Sequence, residues 1–140
     1  MKKVSEIVDW VGLDFKATRA RYRDLTGLDV AYDRMLESLK YWVSTGRGLE
    51  VRTTCDPCFV SKDDLIEIAK ICAEMGVKNF AVQKYSPYHE CDCCESKTDA
   101  GAIDVHHPKT NESERAQFFT DTELKQKINS LFDKVVWRDQ

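Results

Sequence analysis

Residues 49–55 read LEVRTTC, a stretch in which apolar or β-branched side chains alternate with charged and polar ones. Successive side chains of a β-strand point to opposite faces, so Glu50 and Arg52 share one face of this stretch. Val51 and Thr53 share the other face. This period of two predicts a strand with one apolar face and one polar face.

Three other segments also predict strands, and helical patterns lie between the four. The further strands are residues 9–15, 78–85 and 134–138. Apolar residues at helical spacing predict helices over residues 30–45 and 61–76, and the pair Thr120 and Glu123 predicts the N-terminal cap of a final helix. The stretch 16–27 is polar and carries no predicted element, and residues 86–119 are predicted to form a long loop containing Cys and His residues.

The alternation of strands and helices predicts an α/β fold. We expect a parallel sheet of about four strands with helical crossovers, in a single domain of residues 1–140. The carboxyl ends of parallel strands meet at one edge of such a sheet, where α/β proteins bind their ligands. A candidate site is therefore expected after the predicted strands.

Composition and charge narrow the class of protein. The formal net charge is −3, which does not indicate a nucleic-acid partner. The chain has no apolar run long enough to span a bilayer, and its first residues lack the pattern of a signal peptide, so no membrane partner is predicted. The sequence predicts a cytoplasmic protein, in which thiols stay reduced.

Charged residues of the predicted strands form a candidate binding site. Asp14 and Lys16 share the polar face of the first strand, Arg52 lies on that of the second, and Gln83 on that of the third. Two interpretations stay open from this pattern. The charges form an internal ion-pair cluster with no ligand, or they bind one.

Cysteines define a second candidate site. Five of them follow the second and third predicted strands, where the two loops would emerge side by side: Cys55, Cys58, Cys91, Cys93 and Cys94. Such a group favours zinc or an iron-sulfur cluster. The alternatives are reactive thiols or a disulfide, with His89 close to Cys91, and cysteines with no shared role. Cys72 lies on an apolar helix stripe and is predicted to be core.

Three segments together resemble a known family. DWVGLDFKA (9–17), LEVRTT (49–54) and QKYSPYHE (83–90) resemble the C-terminal half of radical S-adenosylmethionine activating enzymes. The likeness is greatest to the anaerobic ribonucleoside-triphosphate reductase activating proteins. This resemblance implies half of a partial (β/α) barrel and, as partner, a glycyl-radical enzyme such as anaerobic ribonucleotide reductase.

The resemblance also implies roles for individual residues. Asp14 and Lys16 match the family's Asp-x-Lys, which helps to hold the methionine end of S-adenosylmethionine. Arg52 matches the family's strand-borne arginine, whose fork can bind a carboxylate or ribose oxygens. Gln83 matches a glutamine position of the reductase activators, and His89 lies in the matching Pro-Tyr-His. These five residues are the expected cofactor-binding set, and no catalytic residue is expected from this chain.

One family motif is missing. No cysteines of this sequence have the Cys-x3-Cys-x2-Cys spacing that binds the family's four-iron cluster. The chain is therefore expected to need an N-terminal half or a second subunit, which would cover the unpaired edge of the first strand. The alternative function is a non-catalytic metal-binding module or assembly subunit, built on the cysteines.

Overall fold

A computed structural model describes residues 2–86 and 111–139, which form four strands and six helices. In chain order the elements are α1 (Lys2–Ser5), β1 (Trp10–Asp14), α2 (Arg19–Thr26), α3 (Ala31–Thr45), β2 (Gly48–Cys55), α4 (Lys62–Glu74), β3 (Asn79–Lys84), α5 (Glu112–Thr120), α6 (Thr122–Asn129) and β4 (Lys134–Arg138). Among these residues no helix is both long and apolar enough to cross a membrane.

The four strands form one parallel sheet in the order β1-β2-β3-β4. Strands that follow each other along the chain are thus neighbours in the sheet, and each connection crosses over through helices. The register places Asp14 opposite Arg52, Arg52 opposite Ala81, and Ala81 opposite Val136. The predicted α/β fold with a parallel sheet and helical crossovers is confirmed.

The helices pack on one face of this sheet. A single core cluster joins strand residues of one parity, such as Val51 and Phe80, with helix residues such as Leu39, Ile68 and Ile128. We call the other side the open face, because no described helix contributes a buried residue to it. Its residues are Trp10, Gly12, Asp14, Gly48, Glu50, Arg52, Thr54, Asn79, Ala81, Gln83, Lys134, Val136 and Arg138. The sequence predicted that Asp14, Arg52 and Gln83 lie on the polar faces of the first three strands, and the structure confirms this for each of them.

Helix ends follow local chemistry. The Ser61 side chain accepts a hydrogen bond from the Asp64 backbone N–H, and the Asp64 side chain accepts one from the Ser61 N–H. This reciprocal cap begins α4 where the sequence predicts it. Helix α3 stops at Gly46, whose φ of 66° is left-handed and therefore suits glycine.

The polar stretch 16–27 contains a helix that the sequence pattern does not reveal. Helix α2 has only one buried residue, Tyr22. The Tyr22 ring packs edge-on against Tyr32 of α3, with 5.5 Å between centroids, and against Phe15 at 6.5 Å. The helix contacts the core through Tyr22 and the partly buried Leu25, which are too few apolar residues to give a clear amphipathic stripe in the sequence.

The prediction of a loop over residues 86–119 is wrong for its last residues, because helix α5 begins at Glu112. Asn111 and Glu114 make a reciprocal cap at its start, and Phe118 and Phe119 bury its end in the core. The predicted start of the last helix is also corrected. Asp121, rather than Thr120, caps α6, because its Oδ1 accepts the Leu124 N–H at 2.9 Å.

Candidate ligand site on the open face

A cluster of three charged residues lies where β1 and β2 end. Asp14 ends β1, Lys16 follows two residues later, and Arg52 faces Asp14 across the register. Lys16 Nζ lies 3.6 Å from Asp14 Oδ2, and Arg52 Nε lies 3.4 Å from Asp14 Oδ1. Asp14 and Lys16 are about half exposed and Arg52 is 32% exposed. The structure therefore brings three of the predicted site residues together, with one carboxylate between two cations.

The Arg52 guanidinium lies close over β1 at Gly12. Its Nε is buried and makes no hydrogen bond, since the approach to Asp14 is an ion pair without hydrogen-bond geometry. Among the described residues, the guanidinium accordingly has Asp14 as its charged partner and keeps donor capacity for a further acceptor. A carboxylate oxygen is the acceptor that a guanidinium binds best.

A pocket of about 170 Å³ opens beside this cluster. Its lining mixes polar and apolar side chains from helix α2, from the end of β2 and from the segments that follow β1, β2 and β3: Lys16, Leu25, Thr54, Asp56, Phe59 and Tyr85. The loop after β2 is held in place because the Asp56 carboxylate accepts the Cys58 N–H at 3.0 Å. The pocket and the charge cluster share Lys16, so one ligand can contact both.

Gln83 lies on the same face but further along the sheet. In the register it faces Thr54 of β2 and Arg138 of β4. The whole of β2 separates it from Asp14, a span of roughly 10 Å for two strand spacings. Gln83 therefore shares the open face with the charge cluster and takes no part in its ion pairs.

A second ion pair crosses the open face, and the sequence interpretation missed one of its members. Arg138 Nη2 donates to both carboxylate oxygens of Glu50, at 2.9 and 3.1 Å. The Glu50 carboxylate needs this partner because only 11% of the side chain is exposed. The strand parity of residues 134–138 was the available signal, since it places Arg138 on the polar side. The pocket residues Asp56 and Tyr85 were also missed. Asp56 lies in the loop after β2, and Tyr85 follows β3 in the structure although the sequence pattern placed it in the predicted strand 78–85.

Only two of the five cysteines in the predicted metal site, Cys55 and Cys58, lie among the described residues. Cys91, Cys93, Cys94 and the predicted cofactor residue His89 lie outside the described residues. Within residues 2–86 and 111–139, no group of three or more Cys, His, Asp or Glu side chains is arranged to hold a metal ion. Zinc or an iron-sulfur cluster on these cysteines therefore stays a prediction.

The two described cysteines of that set differ in environment. Cys55 is 0% exposed among the core residues, and burial strongly raises the pKa of its thiol. Cys58 lies in the following loop and is partly exposed. Its pKa is raised by partial burial and by the negative charge of Asp56. Cys72 is buried as predicted, and burial raises its pKa to about 12. Of the three, Cys58 is the accessible thiol.

No protein-family model matches this chain, and no curated protein matches it. What supports a function is thus the chemistry of the described residues. Two cations each lie within 4 Å of one carboxylate, on a sheet face to which no described helix contributes a buried residue, and a pocket lies beside them at the carboxyl edge. Sheets of this kind bind their ligands at that edge.

Proposed function

We propose that this chain binds S-adenosylmethionine on its open face, as the cofactor-holding part of a radical activating protein like those that serve anaerobic ribonucleoside-triphosphate reductase. The observation that carries the proposal is the position of Asp14 between Lys16 and Arg52, at the carboxyl edge of the sheet. The family resemblance assigns Asp14 and Lys16 to the cofactor's methionine end, and it assigns Arg52 to a carboxylate or to ribose oxygens of the same cofactor.

The donor set fits the zwitterionic end of this cofactor. Its carboxylate would be held by Lys16 and by the exposed part of the Arg52 fork, since the Arg52 side chain as a whole is 32% exposed. Its ammonium group would be held by Asp14. A ligand with both groups replaces the ion pairs that these three residues make with one another, so the charges stay balanced when it binds.

The pocket beside Lys16 suits the less polar part of the same molecule. Leu25 and Phe59 give it apolar walls, while Thr54 and Asp56 add polar groups near the ends of the strands. A ligand that extends from the charge cluster into this pocket would contact both. Gln83, on the same face, is placed to contact a ligand that reaches across β2.

The chemistry that the cofactor supplies in this family is a deoxyadenosyl radical, formed with an electron from a four-iron cluster. This chain's sequence has no Cys-x3-Cys-x2-Cys motif for that cluster. The described residues accordingly bind and orient the cofactor, and the electron would come from a segment or subunit outside this sequence. The radical's target would be a glycine of the partner reductase.

The edge of β1 is the proposed contact for that segment or subunit. In the described part of the chain, β1 pairs with β2 alone, so its other edge offers unused backbone hydrogen-bonding groups. Ile7 and Trp10, next to this edge, are 82% and 56% exposed. An unpaired edge with apolar side chains beside it is a surface that another chain can cover. A monodisperse monomer in light scattering, for the protein alone and with its partner, would count against this contact.

Calorimetric titration with S-adenosylmethionine tests the cofactor site. We expect Lys16→Ala and Arg52→Ala each to weaken binding by about tenfold, the effect of losing one charge-assisted contact. Arg47→Ala is the matched control, since its ion pair with Asp9 lies at the amino end of the sheet. Decarboxylated S-adenosylmethionine should bind the unmodified protein weakly and should be insensitive to Arg52→Ala.

Two results would overturn the proposal. One is no binding of S-adenosylmethionine to the unmodified protein at ligand concentrations of about 1 mM, which corresponds to negligible affinity. The other is binding that Lys16→Ala and Arg52→Ala leave unchanged, because the ligand would then lie elsewhere.

A further inference from the structure

Gly12, in the middle of β1, lies directly beneath the Arg52 guanidinium. A Cβ atom placed on Gly12 would overlap Nη2 of Arg52 and would lie only 2.7 Å from its Cζ and 3.1 Å from its Nε. The distance to Cζ is shorter than real Cβ contacts, and the distance to Nε is tighter than most of them. The guanidinium can therefore occupy its present position only because residue 12 has no side chain.

The backbone does not explain a glycine at this position. The described glycines with left-handed φ angles are Gly27, Gly46 and Gly76, all beyond helix ends, and Gly12 is not one of them. A glycine inside a strand weakens the strand, and it often marks a close approach by another group. At Gly12 the approaching group is the guanidinium of Arg52.

The space over Gly12 determines how Arg52 is held. The side chain lies low across β1, its Nε is shielded from water, and the nearest charge is Asp14 at 3.4 Å. On its other side, Arg52 faces Ala81, which is fully buried and small. Arg52 therefore lies between small residues that leave it room, and the guanidinium is placed before any ligand arrives. A cation held in position loses less freedom on binding than a mobile one.

We propose that Gly12 is a positioning residue that sets the Arg52 guanidinium for the carboxylate of a small ligand on the open face. This inference rests on the proposed function for the identity of the ligand, S-adenosylmethionine. The placement of Arg52 by Gly12 is a separate property of the protein and is measured without ligand.

The test of placement is proton exchange at Arg52 Nε, followed by nuclear magnetic resonance. The signal is identified by its loss in Arg52→Lys. In the unmodified protein it should exchange slowly because Nε is buried, and in Gly12→Ala it should exchange at least about tenfold faster as the guanidinium moves into solvent. Gly48→Ala is the matched control, since its Cβ would meet Trp10 and the Asp9 carbonyl oxygen rather than Arg52. An unchanged exchange rate in Gly12→Ala overturns the inference.

The test of function is a double-mutant cycle for S-adenosylmethionine binding. Gly12→Ala should weaken binding by about tenfold in the unmodified background and by less than about twofold in Arg52→Ala, because the two residues act through one group. The melting temperature of Gly12→Ala should stay near that of the unmodified protein, since the overlapping atoms belong to a flexible tip.

The remaining outcomes separate the two proposals. If Gly12→Ala speeds exchange and leaves the affinity unchanged, or weakens binding equally in both backgrounds, the positioning role is overturned and the cofactor site stands. If the unmodified protein does not bind S-adenosylmethionine at all, the proposed function fails, and the exchange measurement still decides whether Gly12 positions Arg52.

Discussion

The two faces of the sheet are built from alternate residues of the same four strands, and they are held together by different forces. On the helix-covered face, Val51, Phe80 and Val82 are almost fully buried in one apolar core. On the open face, Arg52 and Arg138 remain about one-third exposed and are held by carboxylates. Apolar burial is the larger stabilising force, so the covered face maintains the fold.

This division leaves the open face available for binding. Ion pairs between partly exposed groups contribute little to stability, because water already solvates the separated charges well. The cluster of Asp14, Lys16 and Arg52 can therefore exchange its internal contacts for ligand contacts without endangering the fold. A core residue has no such freedom, since its neighbours fill the space around it.

The largest expected effect is on the covered face. Phe80→Ala should lower the free energy of unfolding by about 3–5 kcal/mol, because it removes a buried ring and leaves a cavity. The Phe80 ring is 1% exposed and stacks on Phe132 with 4.8 Å between centroids. Urea unfolding measures the loss. Gln83→Ala, on the open face of the same strand, is the control and should change stability by less than about 1 kcal/mol. Equal losses in the two variants would contradict the difference between the faces.

A smaller effect is expected in the rates at which the thiols of Cys55 and Cys58 react with a labelling reagent. In a protein carrying Cys91→Ser, Cys93→Ser and Cys94→Ser, iodoacetamide should label Cys58 at least about 100-fold faster than Cys55, a difference of about 2.7 kcal/mol. The reason is that Cys55 is fully buried and has a strongly raised pKa, whereas Cys58 lies in a partly exposed loop.

Mass spectrometry of the labelled peptides gives both rates. The two cysteines should react alike in urea, which controls for local sequence. Rapid labelling of Cys55 in the native protein would show that it leaves the core readily. Such opening would also strengthen the prediction that Cys55 and Cys58 form a metal site together with the later cysteines.

The smallest expected effect concerns the buried acid of the open face. Arg138→Ala should lower the free energy of unfolding by about 2 kcal/mol, because the shielded Glu50 carboxylate loses the donor to both its oxygens. Adding Glu50→Gln should recover part of this loss by removing the unpaired charge. Arg47→Ala is the comparison, because its partner Asp9 is 97% exposed. This variant should lower the free energy of unfolding by less than about 0.5 kcal/mol. Urea unfolding that finds Arg138→Ala as mild as Arg47→Ala would show that Glu50 is well solvated.

Much of the sheet could be predicted because strand parity is a local property. The stretch LEVRTTC places Arg52 opposite Val51 whatever the rest of the chain does, and the same holds for Asp14 and Gln83 in their strands. The α4 cap at Ser61 is local as well, since Ser61 and Asp64 satisfy each other's backbone groups. The predicted cluster of Asp14, Lys16 and Arg52 followed from parity together with the parallel order of the strands.

The elements that escaped prediction depend on distant contacts. Helix α2 is anchored by Tyr22 against Tyr32 and Phe15, which lie in other elements. Helix α5 carried a local signal in Asn111 and Glu114, but it stands in a segment rich in polar residues, where a loop was the simpler interpretation. The partnership of Glu50 with Arg138 requires knowing that β4 lies next to β3, because the two residues are 88 positions apart.

By itself, the sequence determined the alternation of elements, the two faces of each strand and the charged character of one of them. These depend on side-chain periodicity and on caps within a few residues, which act the same way in any context. Only the tertiary structure decided which charges meet. It placed Asp14 between Lys16 and Arg52, joined Arg138 to Glu50, and laid Arg52 across Gly12. Strand order and register bring such groups within 4 Å, and both are settled by the packing of the whole core.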